Sequence, residues 1–231
     1  NKNSQHQLKF HINEVSKNNY DKYVYGNSVL NEFTKTIKNP IFINKLIKKF
    51  FYKILFSWRT IFFYKILFSR IYNKKTLLKL LLRKNKAVDE KKNVFYEKFI
   101  YNNFISTVEF AYMFNGAESF PHTDGMKKVM SLMLYFPDDS FSNEVKKNLG
   151  TTFYNSKEYG LQPIDIIGKA SNFEESKKFK ERNKIELQLP FEKNTIFGFI
   201  KSHRSWHSVE KIKIPEKSIR KNININILLV L

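Results

Sequence analysis

There is no cysteine among the 231 residues. That excludes disulfides, thiolate metal sites and cysteine nucleophiles, and it says little about compartment. Arginine is scarce as well, supplying six of the 41 basic residues. No run of about 18 uncharged apolar residues occurs, so no transmembrane segment is expected. The N-terminus, Asn1 to Gln5, is polar and has no signal-peptide apolar region, and the expected location is cytoplasmic. Acidic residues are missing between Phe33 and Val88, where lysine recurs. The chain lacks an initiating Met and stops inside an apolar strand pattern at Leu231, which reads as a trimmed chain or a fragment.

What is present is a core-forming composition, with 42% hydrophobic residues and 23 phenylalanines, enough for one well-buried domain with a helical annex. The net charge of +20 would ordinarily point to an anionic partner. Here it comes with an excess of Lys, Asn, Ile and Phe, the residues that AT-rich codon usage accumulates, so the charge alone names no partner.

Residues 1–40 read as a short strand, Phe10–Ile12, and a polar helix closed by Asn39 and Pro40. In residues 41–86 the apolar positions Ile47, Phe50, Phe51, Ile54, Leu55, Trp58, Ile61 and Phe62 fall at helical spacing. The stretch Phe50–Ser57 recurs letter for letter at Phe62–Ser69. Twelve residues at about 100° each rotate the second copy by about 120°. One straight helix could not present both copies on one face, so a break near Ser57–Thr60 is expected. Two readings compete: an interfacial helix making a weak contact with an anionic surface through 41–86, and a helix pair packed against the rest of the chain. The second is preferred.

From Phe104 the period changes to that of strands. Phe104–Met113, Lys128–Phe136, Lys184–Leu189, Asn194–Ile200 and Arg220–Leu231 are β-rich runs divided by turn residues. In the last, Arg220, Asn222, Asn224 and Asn226 share one face, and Ile223, Ile225 and Ile227 the other. A polar inner face and an apolar outer one suit a barrel whose lumen is a site and whose outside is covered by helices.

The chemistry-bearing residues are His122-Thr123-Asp124 and, far downstream, His207. Two histidines and a carboxylate are the ligand set of mononuclear non-haem Fe(II), which leaves coordination positions open. Residues i and i+2 of a strand share a face, so His122 and Asp124 are expected to face one metal, with His207 arriving from an opposite strand.

The frame around these residues resembles the 2-oxoglutarate- and Fe(II)-dependent dioxygenases, in particular prolyl-hydroxylase-like small oxygenases. Phe120–Asp124 leading into Ser131–Asp139 is similar to the family's metal strand and the one after it. Gly150–Tyr154 looks like its Gly-Gly-x-Thr-x-Phe strand, with Leu149 in place of the first glycine. Asn194–Phe199 is similar to the turn and strand before the distal histidine. The match covers roughly 104–231, with a weaker echo at Phe10–Glu14.

This resemblance implies an α+β fold: a double-stranded β-helix (jelly-roll) barrel over 104–231 with N-terminal flanking α-helices. Residues 1–103 would be an N-terminal strand and basic helical region packing on it. It implies a dioxygenase using Fe(II), 2-oxoglutarate and O2, hydroxylating a C–H bond of a small molecule or peptide and releasing succinate and CO2. His122, Asp124 and His207 would be the metal ligands. Arg220, thirteen residues after His207, would hold the far carboxylate of 2-oxoglutarate as a fixed bidentate fork. Lys217 is the rival for that role, and His203 the rival for His207. Asn222 would support the carboxylate, and Tyr112 and Tyr135 are candidates to touch 2-oxoglutarate or substrate. Substrate contacts are expected on Asp138–Leu149 and Glu158–Asn183. A nucleic-acid demethylase of the same chemistry and a non-oxygenase metal-binding jelly roll are the alternatives. Against the first stands Asn226, where the alkylation-repair branch carries a second arginine.

Overall fold

Asparagines punctuate the N-terminal helices α1 (Lys17–Tyr25), α2 (Ser28–Lys38) and α3 (Pro40–Ser57). Asn27 caps α2 by accepting from the Leu30 N–H at 3.1 Å. Asn39 closes α2 through its own N–H to Thr36 O and opens α3 by accepting from the Ile41 N–H at 2.8 Å. Pro40 then takes the first helical position, where no N–H is needed. The single polar helix expected before Pro40 is thus two. Gly26 makes the break: its N–H bonds Lys22 O at 3.1 Å, and a Cβ there would stand 2.6 Å from that oxygen.

The computed structural model describes residues 9–13, 17–57, 104–125, 128–158, 172–202 and 204–229. Besides the three helices it contains β1 (Lys9–Ile12), β2 (Phe104–Met113), β3 (Ser119–His122), β4 (Lys128–Phe136), α4 (Asn143–Asn148) and β5 (Thr152–Asn155). There follow α5 (Phe173–Arg182), β6 (Lys184–Gln188), β7 (Ile196–Ile200), β8 (His207–Val209) and β9 (Arg220–Leu229). The two stretches expected to be substrate loops therefore contain the helices α4 and α5.

The strands form two antiparallel sheets, ordered β1-β2-β9-β4-β7 and β3-β8-β5-β6. From β2 to β9 the chain alternates between the sheets, except that β5 and β6 are neighbours in the second. This mixed α and β architecture is compatible with a jelly roll.

The alternation along β9 is realised as read. Ile223, Ile225 and Ile227 join Phe104, Val108 and Phe110 of β2 under Tyr20, Val24, Ile37, Ile43 and Ile47 of the three helices. Burying each such side chain contributes about 1.5–3 kcal/mol, which suffices to fix the helices on the sheet. The Ser106 hydroxyl adds a 2.8 Å bond to Ile37 O at the end of α2. Residues up to Phe50 thus follow the packing reading of the basic segment. The side chains of Phe51–Ser57, the break near Ser57–Thr60 and the second copy of the repeat lie outside the described residues. Among the described residues no helix is long and apolar enough to cross a membrane.

A second apolar cluster lies between the sheets at the Arg220 end of β9, built from Met113, Met133, Tyr135, Leu149, Phe191 and Ile212 with others. Gly150 allows the close approach there, since a Cβ on it would fall 1.8 Å from Leu189 O. Beside this cluster the inner faces line a polar cavity of about 240 Å³ that opens to solvent.

Candidate metal centre

Strand pairing is what joins the two histidines. His122, the last residue of β3, stands directly opposite His207, the first residue of β8, in antiparallel register. Their rings are 4.3 Å apart, centroid to centroid. Each Nδ1 lies against a main-chain oxygen two residues earlier, Phe120 O at 2.8 Å for His122 and Ser205 O at 2.9 Å for His207. A carbonyl only accepts, so each Nδ1 carries its proton and each Nε2 is left with a lone pair. Both Nε2 atoms turn toward Asp124: His122 Nε2 is 3.6 Å from Oδ1, and His207 Nε2 is 3.7 Å from Oδ2.

Asp124 arrives differently from the expectation. Alternation within one strand does not bring it to the metal position, because β3 ends at His122. Asp124 lies in the following loop with φ of +66°, in the left-handed region. For a residue with a Cβ that conformation costs about 1–2 kcal/mol, somewhat less for Asp. It aims the carboxylate back at the two imidazoles.

The three ligand atoms lie within 4.8 Å of one another. Asp124 Oδ2 is buried and has no hydrogen-bond partner among the described residues. A buried carboxylate oxygen that nothing satisfies, facing two imidazole lone pairs, is what a cation would complete. The donor set thus fits a divalent metal with nitrogen and oxygen ligands, and no other group of this kind occurs among the described residues.

The protonation states agree with this. Burial would raise the Asp124 carboxyl, but Lys128, His207 and His122 around it hold it well below the usual carboxylate range. Burial pushes His207 down, against the pull of Asp124, so its neutral form is favoured. Phe153 and Phe199 wall His207, with ring centroids at 5.7 and 4.8 Å.

Two lysines at this centre had no spacing rule to announce them. Lys128 bonds Asp124 Oδ1 at 3.0 Å. Lys201, 3% exposed, donates to the main-chain oxygen of Asp124 at 2.6 Å, and burial brings its amine down to about 8. Their only sequence signal is a lysine opening β4 and another just after β7, which the antiparallel pairing brings to the same end.

Arg220 is 2% exposed and lines the same cavity. Its Nε donates to Leu149 O and its Nη1 to Asn222 Oδ1, both at 2.6 Å. Its guanidinium lies over the rings of Phe191, at 4.9 Å, and Tyr135, at 5.6 Å. Among the described residues it forms no ion pair with an acid. Burial accordingly lowers its pKa to about 10. A buried, always-charged group with no counter-ion is costly, and an anion in the cavity would offset that cost.

From Arg220 a polar ladder crosses the cavity wall. Asn222 Nδ2 bonds Asn224 Oδ1 at 2.7 Å, Asn224 Nδ2 bonds Glu109 Oε1 at 3.2 Å, and Glu109 Oε1 also holds His11 Nδ1. Asn226 accepts from the Ser131 hydroxyl at 3.2 Å.

The other sequence-derived candidates separate. Tyr135 is buried beside Arg220 with its hydroxyl 2.9 Å from Thr151 Oγ1. Tyr112 is not in the cavity, which corrects the expectation. On β2 the lining side chains are Glu109, Ala111 and Met113, so alternation turns Tyr112 to the helix side, where its hydroxyl pairs with that of Tyr23. Lys217 is exposed in the turn before β9. His203 lies outside the described residues. Glu109, His11, Phe153 and Phe199 enter the site without having been singled out.

No family model matches the chain, and no curated protein does. Among solved structures it is similar to a prolyl-4-hydroxylase from Pseudomonas putida, at 12% identity and a TM-score of 0.31. The likeness covers 64% of this chain and 66% of that one, just under two thirds of its length. A likeness that faint does not bear on what the site does, so the functional reading stands on the geometry.

Proposed function

We propose that the chain is an Fe(II)- and 2-oxoglutarate-dependent dioxygenase of the prolyl-hydroxylase-like type. Residues 104–231 would be its jelly-roll core and 1–103 a segment packed outside it. It hydroxylates a C–H bond of a small molecule or peptide, with release of succinate and CO2. One observation carries the reading: a single cavity is lined by a two-histidine, one-carboxylate cluster and by a buried arginine without an acid partner among the described residues.

Fe(II) held by His122, Asp124 and His207 would supply the coordination positions at which a 2-oxo acid and O2 react. The chain's own residues do the rest. Arg220, with Nε on Leu149 O, Nη1 on Asn222 and its plane over Phe191, offers its remaining Nη2 amino group to the far carboxylate of 2-oxoglutarate. Tyr135 packs on that guanidinium and limits its movement. The paired imidazoles are kept in one tautomer by main-chain carbonyls and need no proton rearrangement to bind metal. Phe153 and Phe199 exclude water from the His207 side.

The test is anaerobic addition of Fe(II) and then 2-oxoglutarate to the full chain, followed by calorimetry and visible absorption, then a screen of metabolites and peptides for those that accelerate succinate formation. Expected is metal-dependent 2-oxoglutarate binding with the charge-transfer absorption of a 2-oxo acid chelated to Fe(II). Metal binding with no 2-oxoglutarate binding would leave a metal-binding jelly roll without oxygenase chemistry and sink the proposal.

A further inference from the structure

Lys201 follows the last residue of β7, and its side chain is almost wholly buried. An ammonium removed from water needs partners that replace it. Its Nζ donates to the main-chain oxygen of Asp124 at 2.6 Å, and its main-chain N–H donates to Val129 O at 2.9 Å. The residue therefore ties the β4–β7 pair to the loop that carries the carboxylate ligand.

That loop has a reason to be tied. Asp124 is beyond the end of β3 with a positive φ, a conformation that persists where the surroundings impose it. The backbone angle decides where the carboxylate points. Lys128 grips the carboxylate itself, whereas Lys201 grips the main chain.

We infer that Lys201 is a positioning residue for the metal centre, holding the Asp124 backbone in the turn that brings its carboxylate to His122 and His207. The inference rests on the metal-centre reading above. It also has a built-in opposite. A positive charge beside a cation site repels the cation, so a lysine without a positioning role would strengthen metal binding when removed. A positioning lysine weakens it when removed.

The experiment is a Co(II) titration of the full chain, read by visible absorption and calorimetry. The variants are Lys201→Met, which keeps the stem without the donor, and Lys201→Gln, whose donor is one atom too short. Asp124→Ala gives the spectrum of a site reduced to two histidines. Ile225→Val, on the helix side of β9, controls for loss of stability alone. Expected is Co(II) binding weakened roughly 10–100-fold in both Lys201 variants, with saturated spectra moving toward that of Asp124→Ala. Ile225→Val keeps wild-type affinity and spectrum. If one Lys201 variant fails to fold, the other decides. Wild-type or tighter affinity with a wild-type spectrum overturns the role of Lys201 and leaves the metal centre standing. A wild-type chain that binds no Co(II) overturns the metal centre itself.

Discussion

Replacing Arg220 by Met separates the cost of a buried charge from its use. In the ligand-free protein the guanidinium is a burden. Its fall to about 10 under burial corresponds to roughly 3 kcal/mol against the charged form. Removing it relieves that cost but orphans Leu149 O and Asn222 Oδ1, at about 1–3 kcal/mol each. The two effects oppose, so Arg220→Met should lose no more than about 3 kcal/mol of ligand-free stability. Ligand binding should behave otherwise. Wild-type protein with metal and 2-oxoglutarate at 100 times its Kd gains about 2.7 kcal/mol, a Tm rise of roughly 5–10 °C for a chain of this size. A buried carboxylate that loses its charged partner forfeits about 2–5 kcal/mol, roughly 30- to 5000-fold in Kd. At the same 2-oxoglutarate concentration the variant's gain should fall below about 1 kcal/mol, or under about 4 °C. Thermal unfolding with and without 2-oxoglutarate, and Co(II) affinity as a control that should not move, make the assay. A full ligand-induced rise in Arg220→Met, with its loss in Lys217→Ala, would show that the exposed lysine and not the buried arginine is the cation.

Two further outcomes follow from the placement of side chains. Tyr112→Phe should leave Co(II) and 2-oxoglutarate affinities unchanged within about twofold, because the lost hydroxyl pairs with Tyr23 on the helix side; a tenfold loss by calorimetry would put Tyr112 back in the cavity. Glu210 is favoured by burial toward its neutral form, but Lys180, Tyr154 and Ser208 outweigh this and hold its carboxyl below the ordinary value. A depressed carboxyl contributes stability that is present above its unfolded pKa and lost as pH falls through the lower, folded one. The wild-type urea midpoint should therefore drop more steeply between about pH 5 and pH 3 than that of Glu210→Gln; parallel curves would remove Glu210 from the acid response.

How much of this was legible in the sequence depends on whether a feature is periodic. The β9 alternation fixed both the helix-covered face and the polar one from spacing alone, since a strand has only two faces and burial of Ile223, Ile225 and Ile227 leaves Arg220 and the asparagines one place to go. The same rule applied to β2 would have excluded Tyr112. Its register against β9 puts Ala111 opposite Asn222 and Tyr112 opposite Lys221, and only the first of these pairs lines the cavity wall. Without knowledge of which strands pair, that comparison could not be made.

The metal centre was legible as residue types and illegible as geometry. His122 and His207 meet because β3 and β8 pair in register across 85 residues of sequence, which no local signal encodes. Asp124 meets them through one positive φ, where the H-x-D spacing had pointed to a strand. A two-residue spacing is satisfied equally by an extended strand and by a strand end followed by a left-handed turn. The two differ in what holds the carboxylate. A strand would hold Asp124 through its ladder, whereas the turn is held by an outside donor, the buried Lys201 just beyond β7. The departure from the simple strand reading is therefore the reason that a charged residue is buried at position 201.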